Sequence, residues 1–422
     1  MGAQSDAPGT AAIATASARR ATFDVAIQVV GRALNLLLGI YVTALVARLL
    51  GDDGYGRWTT IFVVVSFTSY LTDLGIRGIA VQRASAEPRR APEWIGALLS
   101  IRFLVAIPAT LISIAVVAAV AGNDDMLVAG LLLSATIFVS VPGALQMVFQ
   151  LQVRNHVTIA LLTLNSVLWA GAVVYCDAND LGIVELAAAF LGVAIVTNVL
   201  QGVLAARAMP IRTRGTRPLW GPLIRLGAPL ALSGLLVNLY GRIDQIIVFR
   251  AAGAGDAGLY GAVYRILEQA HFIPLSLNAT MFPMVAAAWA SDRGRARRLL
   301  QLGAEYMMVG SAGLLAFAIV CARPSVEFVF GSGFPDAAPA LPILMGAFIA
   351  ISFGYLGGQG VIVLGLQRLA VTAAATGLVV NVVLNLIFVP PYGFLAAAWI
   401  TLITEVLVNG SVSYTHLTLP TN

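Results

Sequence analysis

The chain has 422 residues, of which 59% are hydrophobic and only 11% charged. A soluble domain carries about 25% charged residues, so this chain lacks the polar surface to coat a soluble globule of its size. Its formal net charge of +5 comes from arginine alone, lysine being absent. The arginines sit in short clusters between apolar runs rather than along a stripe, so nucleic acid is not an expected partner.

In lipid every backbone polar group must be satisfied internally, which leaves helices or closed barrels. Barrel strands alternate apolar and polar residues over about ten positions. The runs here are continuously apolar for about twenty residues or more, the span of a bilayer helix. The expected fold is an all-α polytopic membrane protein with about twelve transmembrane helices.

Residues 1–22 read as a polar cytoplasmic tail ending in Arg19-Arg20. The next run is too long for a signal-peptide core and has no clean cleavage site, so it reads as an uncleaved first span. Apolar runs fall near 23–47, 58–80, 94–121, 126–149, 157–176, 183–206, 221–250, 257–290, 299–321, 340–364, 370–390 and 393–410. The run 257–290 is overlong and holds Pro274 and Pro283, so it should kink or end early. Pro108, Pro142, Pro229 and Pro342 mark further expected bends.

Arginines gather in alternate loops: Arg83, Arg89 and Arg90; Arg154; Arg207, Arg212, Arg214 and Arg217; Arg293, Arg295, Arg297 and Arg298; and Arg368. The intervening loops carry Asp52-Asp53, Asp124-Asp125, Asp177 with Asp180, Asp256 and Asp336. This alternation follows the positive-inside rule and places the N-terminus in the cytoplasm. The basic, proline-containing segment 207–220 divides the chain into an N-terminal lobe, 23–206, and a C-terminal lobe, 221–410. Gly51-Asp-Asp-Gly-Tyr-Gly56 and Gly255-Asp-Ala-Gly-Leu-Tyr-Gly261 lie between the first two helices of each half, as in a parallel repeat. Residues 411–422 are polar without helical period and read as a non-native or truncated tail. Cys176 and Cys321 read as apolar fillers, and the three histidines show no metal spacing.

Four blocks resemble the polysaccharide-biosynthesis (oligosaccharide) flippases. Arg48-Leu-Leu-Gly-Asp-Asp-Gly-Tyr-Gly56 resembles their "RLLG…YG", and Asp73-Leu-Gly-Ile76 with Arg83 their "DLG…R". Asp244 followed by Gly258-Leu-Tyr260 resembles their "D…G-x-Y". Asn381 to Asn385 and Pro390, with Tyr392-Gly393 and Ala396 to Ala398, is similar to their "N…LN…P…YG…AA". The resemblance covers most of the chain in the right order. It places the chain in the multidrug/oligosaccharidyl-lipid/polysaccharide exporter superfamily. It implies two six-helix lobes around a central cavity that opens to alternate sides, in a bacterial plasma membrane. The implied cargo is undecaprenyl-pyrophosphate-linked oligosaccharide, with membrane lipids and other polysaccharide-assembly proteins as partners. Many members have fourteen helices, so a final pair would be missing here.

A charge near mid-bilayer costs at least about 2.5–3.5 kcal/mol on insertion scales, so such residues should face a cavity or a partner. Gln28, Arg32, Asn35, Gly39 and Thr43 fall on one face of the first helix. Asn238, Arg242 and Gln245 repeat the device on the seventh. Arg32 and Arg242 are the lead candidates for gripping a pyrophosphate, because guanidinium stays charged and binds phosphate oxygens bidentately. The alternative is that each snorkels or pairs with a carboxylate. Asp73 and Arg77, spaced i,i+4, read as an ion pair shaping a helix end. Asp244, Arg265 and Glu268 are expected to form one inter-helix network, structural or coupled to a proton or sodium ion. Arg102, Glu305 and Glu405 read as isolated charges near helix ends or lobe contacts.

The leading function is alternating-access flipping of the lipid-linked oligosaccharide. The alternatives are a cation-coupled multidrug exporter or a peptidoglycan lipid-precursor flippase on the same scaffold. A glycosyltransferase or polymerase would need a nucleophile–base set on a sizeable loop, and none is present. No Gly-Lys-Ser/Thr phosphate loop occurs, and no enzyme activity, cofactor or metal is expected.

Overall fold

The computed structural model describes residues 8–73, 75–152, 154–363 and 367–418. The chain is 92% helix, with no strand among the described residues, so the helical solution to the backbone problem in lipid is the one adopted.

The first element, α1 (Pro8–Asp73), contains two passes. As one rod it would be about 100 Å long, over three times the hydrocarbon core. It breaks at Gly51, where φ is 66° and ψ −177°, a conformation open essentially to glycine. The chain doubles back there: Val42 and Val46 of the first limb and Trp58 and Val63 of the second line one cavity. Gly75, with φ 61°, separates the second limb from α2 (Ile76–Ala86). Then follow α3 (Ala91–Val120) and α4 (Asp124–Val139), the latter capped by Asn123, whose Oδ1 accepts the Met126 N–H at 2.9 Å. Pro142 interrupts this same pass with a short 3-10 turn before α5 (Gln146–Leu151). The first half ends with α6 (Asn155–Ala178) and α7 (Ile183–Ala208).

The second half opens with α8 (Arg217–Ala251), bent by 48° after Pro229. Next, α9 (Ala254–Ala270) and α10 (Phe272–Ser291) share one broken pass. The break expected from the prolines falls at His271 because the Pro274 ring clashes with the carbonyl four residues back, that of Ala270. Then come α11 (Arg293–Phe330), α12 (Ala340–Val363) and α13 (Gln367–Thr418). The last reverses at Gly393, with φ 63° and ψ −156°. Pro108 lies inside an unbroken α3, and Pro342 sits in the first turn of α12, where no lost N–H matters. Neither breaks its helix.

By length and hydropathy alone seven described stretches cross a bilayer, or eight with the bent α8. Two of the seven hold the Gly51 and Gly393 reversals, and the α9–α10 pair and α12 complete a twelve-helix fold. Two segments read as tails are largely helix: α1 begins at Pro8 and α13 runs through Thr418.

The two halves touch through the repeated turns. A Cβ on Gly56 would strike the Ala254 carbonyl oxygen and lie 2.7 Å from the Gly258 N; one on Gly258 would strike the Asp52 carbonyl oxygen. Helix α9 and the second limb of α1 therefore cross backbone to backbone, as small residues permit in membranes. Beside this crossing the Arg48 guanidinium donates to the Phe328 and Val329 carbonyls at the end of α11, at 2.8 and 3.1 Å. The largest core cluster spans both halves here, with Tyr55, Tyr260, Phe330 and Phe334 buried together. A second cluster joins α2, α3, α5 and the start of α8 at the opposite end.

Candidate functional site

One cavity lies between the halves and a second lies within the C-terminal half, with only Tyr70 from the first half on its wall. The first, about 390 Å³, is enclosed by both limbs of α1, by α6 and α7, and by α8 and α9. Asn35, Thr43, Thr59 and Asn165 give it a polar wall, and Trp58, Trp169 and Phe190 an aromatic one. Trp58 and Trp169 stack at 6.0 Å, and Phe190 meets Trp169 edge-on. The second, about 770 Å³, lies among α8, α9, α12 and α13, with Tyr70 of α1, Asn238, Tyr355 and Glu405 on its walls.

Arg242, Tyr264, Arg265 and Glu268 line both cavities and form the partition between them. Helical spacing explains the arrangement within α9: Arg265 and Glu268 are i,i+3 neighbours, with Arg265 Nη1 2.9 Å from Glu268 Oε2. The other carboxylate oxygen, Oε1, pairs with Arg242 Nη2 from α8. One carboxylate thus bridges two guanidinium groups. The Glu268 side chain is 15% exposed, whereas those of Arg242 and Arg265 are 34% and 39% exposed. Arg265 Nε has no partner among the described residues. The partition keeps a net charge of +1 with spare N–H donors, the chemistry of an anion site.

Asp244, 2% exposed, is engaged elsewhere. Its Oδ2 accepts from Tyr260 OH and from Thr401 Oγ1 at 3.2 Å, and its Oδ1 from the Gln245 N–H at 2.8 Å. Gln245 Nε2 reaches back to Thr59 Oγ1 of the first half at 3.1 Å and to the Ala257 carbonyl at 2.9 Å.

Of the residues singled out in the sequence, Asn35, Arg242 and Gln245 share the first cavity with Asp244, Arg265 and Glu268. Asn238 lies in the second. Gln28 and Arg32 lie outside the residues whose side chains are described. Asn35 is held by α6, donating to Thr163 Oγ1 at 3.0 Å and accepting from Ser166 Oγ at 2.6 Å. Three expectations need correction. Asp73 does not pair with Arg77: α1 ends at Asp73 and α2 begins at Ile76, so the two are not i,i+4 on one helix. Asp73 Oδ1 instead meets Arg102 Nη1 of α3 at 3.0 Å, and neither Asp73 nor Arg77 lines either of these two cavities. The inter-helix network joins Arg242, Glu268 and Arg265, and Asp244 bonds instead to hydroxyls and a backbone amide. Glu405 is a cavity residue, its Oε2 accepting from Asn409 Nδ2 at 2.7 Å. An unpaired carboxylate in an apolar run was the signal for Glu405. The tyrosines and the tryptophan pair offered none, since aromatics are ordinary core material in such a chain.

The fold resembles several solved transporters. An inward-facing multidrug resistance MATE family transporter of the MOP superfamily superposes with TM-score 0.69 over 92% of this chain and 96% of that one, at 15% identity. The lipid II flippase MurJ, in an inward closed conformation, gives 0.71 over 94% and 88%, at 13% identity. A MOP superfamily transporter from Pyrococcus furiosus, whose binding pocket is described as of reverse polarity, gives 0.66 over 93% and 94%, at 16% identity. An uncharacterized membrane protein of Methanocaldococcus jannaschii is 25% identical over 186 residues, 44% of this chain and 43% of that protein; the match thus spans less than half the length of this curated relative. The family model for polysaccharide biosynthesis proteins matches residues 45–339, covering the α1 reversal, the Gly56–Gly258 crossing and the Arg–Glu–Arg partition. The chain is a membrane protein with the MOP transporter fold and belongs to the polysaccharide biosynthesis protein family.

Proposed function

We propose that the protein flips undecaprenyl-pyrophosphate-linked oligosaccharide across a bacterial plasma membrane, by alternating access of the lobes 23–206 and 221–410. The carrying observation is the pair of guanidinium groups, Arg242 and Arg265, converging on the partition between a chamber shared by the two halves and a second one in the C-terminal half. An anionic head group entering lipid loses its hydration at a cost of many kcal/mol. Fixed guanidinium groups offset that cost and grip phosphate oxygens in pairs. Asn35, Gln245 and Asn238 supply amides for the sugar, and Gln28 and Arg32 extend the same face of α1 in sequence. The prenyl tail stays in lipid. No covalent step is required, and the N-terminus and the arginine-rich loops face the cytoplasm. Membrane lipids and other assembly proteins are the proposed partners.

Arg242→Ala should abolish surface-polysaccharide export with protein level unchanged. Normal export in that variant would remove the partition from the transport path. The aromatic wall of Trp58, Trp169 and Phe190 and the carboxylates Asp244 and Glu405 favour a second reading, a cation-coupled drug exporter. Loss of drug resistance with intact export would select it. A peptidoglycan lipid-precursor flippase would use the same guanidinium pair, and is separated by which lipid-linked saccharide is moved.

A further inference from the structure

We infer that Glu268 is an internal stand-in for the substrate's phosphate: it occupies the guanidinium pair in the empty protein and is displaced when a diphosphate arrives. The inference rests on the reading of Arg242 and Arg265 as the diphosphate grip. Among the described residues Glu268 is the only carboxylate on either arginine, and its two oxygens are divided between them. This is the fork a diphosphate would use, with one acceptor for each guanidinium. The other carboxylates nearby are engaged elsewhere, Asp244 by Tyr260 and Thr401, and Glu405 by Asn409.

Two half-buried arginines sharing one wall without an anion would repel and remain incompletely solvated. Glu268 removes that penalty while leaving a net positive charge for an incoming anion. A diphosphate diester brings two negative charges where the carboxylate brings one, so it competes effectively for the same donors. Position adds a consequence: Glu268 lines both chambers, so its displacement alters the wall between them. The freed carboxylate also has a landing place. His271, three residues on at the break that ends α9 and lining the second chamber, has an Nε2 without a hydrogen-bond partner among the described residues. Release then runs in reverse, with Glu268 reclaiming the arginines and expelling the anion. On this account Glu268 weakens binding and speeds turnover.

The test uses the full-length protein in lipid nanodiscs with farnesyl diphosphate as probe, for wild type, Glu268→Gln and Glu268→Asp, each first shown to be monodisperse. Removing one close competing charge should tighten binding of the probe by about tenfold in Glu268→Gln. Glu268→Asp, too short to bridge both arginines, should fall between. Both variants should export surface polysaccharide more slowly, a split of affinity from rate that a merely structural residue would not give. Wild-type binding with neither variant tighter overturns the inference and leaves the diphosphate grip standing. Absence of binding in all three proteins overturns both.

Discussion

Asp73 and Arg102 show how a single charge is held when the cavity does not use it. The Arg102 side chain is 13% exposed and that of Asp73 44%, so the two ends of the pair are unequal. Removing the carboxylate strands a mostly buried guanidinium, whereas removing the arginine leaves a carboxylate that water reaches. Asp73→Ala should therefore cost about 1–2 kcal/mol, below the value for a fully buried pair because half of it is screened. Arg102→Met should cost less, and the double variant should recover most of the loss. Thermal unfolding of the purified protein in detergent checks the order. Legibility at this scale was uneven. The guanidinium and carboxylate groups stood out because each is costly in an apolar run. Their partners did not, because Arg102 lies 29 residues from Asp73 and Glu268 lies 26 from Arg242. Only helix packing selects such pairs.

Among the elements, the glycines of the turns and crossings separate into three kinds. Gly51 and Gly393 adopt positive φ at chain reversals, where any side chain is strained. Alanine at either should destabilise by about 1–3 kcal/mol, read as a lowered melting temperature. Gly56 and Gly258 are helical but touch backbone, so their alanine variants should instead separate α9 from α1. They should lose export and also melt at a lower temperature, because the clash is with backbone that must move, a pattern checked by pairing the two assays. Gly39 has nothing within 4 Å of its Cβ position, and Gly39→Ala should be neutral or raise stability by up to about 1 kcal/mol. The sequence marked the repeat from turn motifs that open with Gly51 and with Gly255. The residue that shares the Gly51 conformation is Gly253, with φ 101° and ψ 177°. With that shift Gly56 and Gly258 become equivalent, and they are the residues that meet.

For the whole molecule, the contact at the repeated turns closes one end of the space between the halves. A Cβ on Gly255 would lie 3.2 Å from Asp53 Oδ1, so the two positions face each other across the contact and are the pair to test by cysteine cross-linking. In a background lacking Cys176 and Cys321, oxidised Asp53→Cys/Gly255→Cys should lock that end and stop export. Reductant should restore it. Unchanged export in the fully cross-linked protein would mean that the halves need not part there.

What the sequence determined by itself was the solvent, the helix inventory and the family. Long apolar runs leave the backbone no other means of satisfying its hydrogen bonds. The breaks at Pro142, Pro229 and Pro274 were legible too, because these are local effects. The tertiary structure alone decided which charges meet. In an α-helical membrane protein the close partners of a buried ion sit on other helices or a turn away, and lipid supplies no hydrophobic pressure to predict which faces pack. Shape does that work. The Gly56–Gly258 crossing brings α9 against α1, and the approach of α8 to α9 sets Arg242 and Arg265 on either side of Glu268.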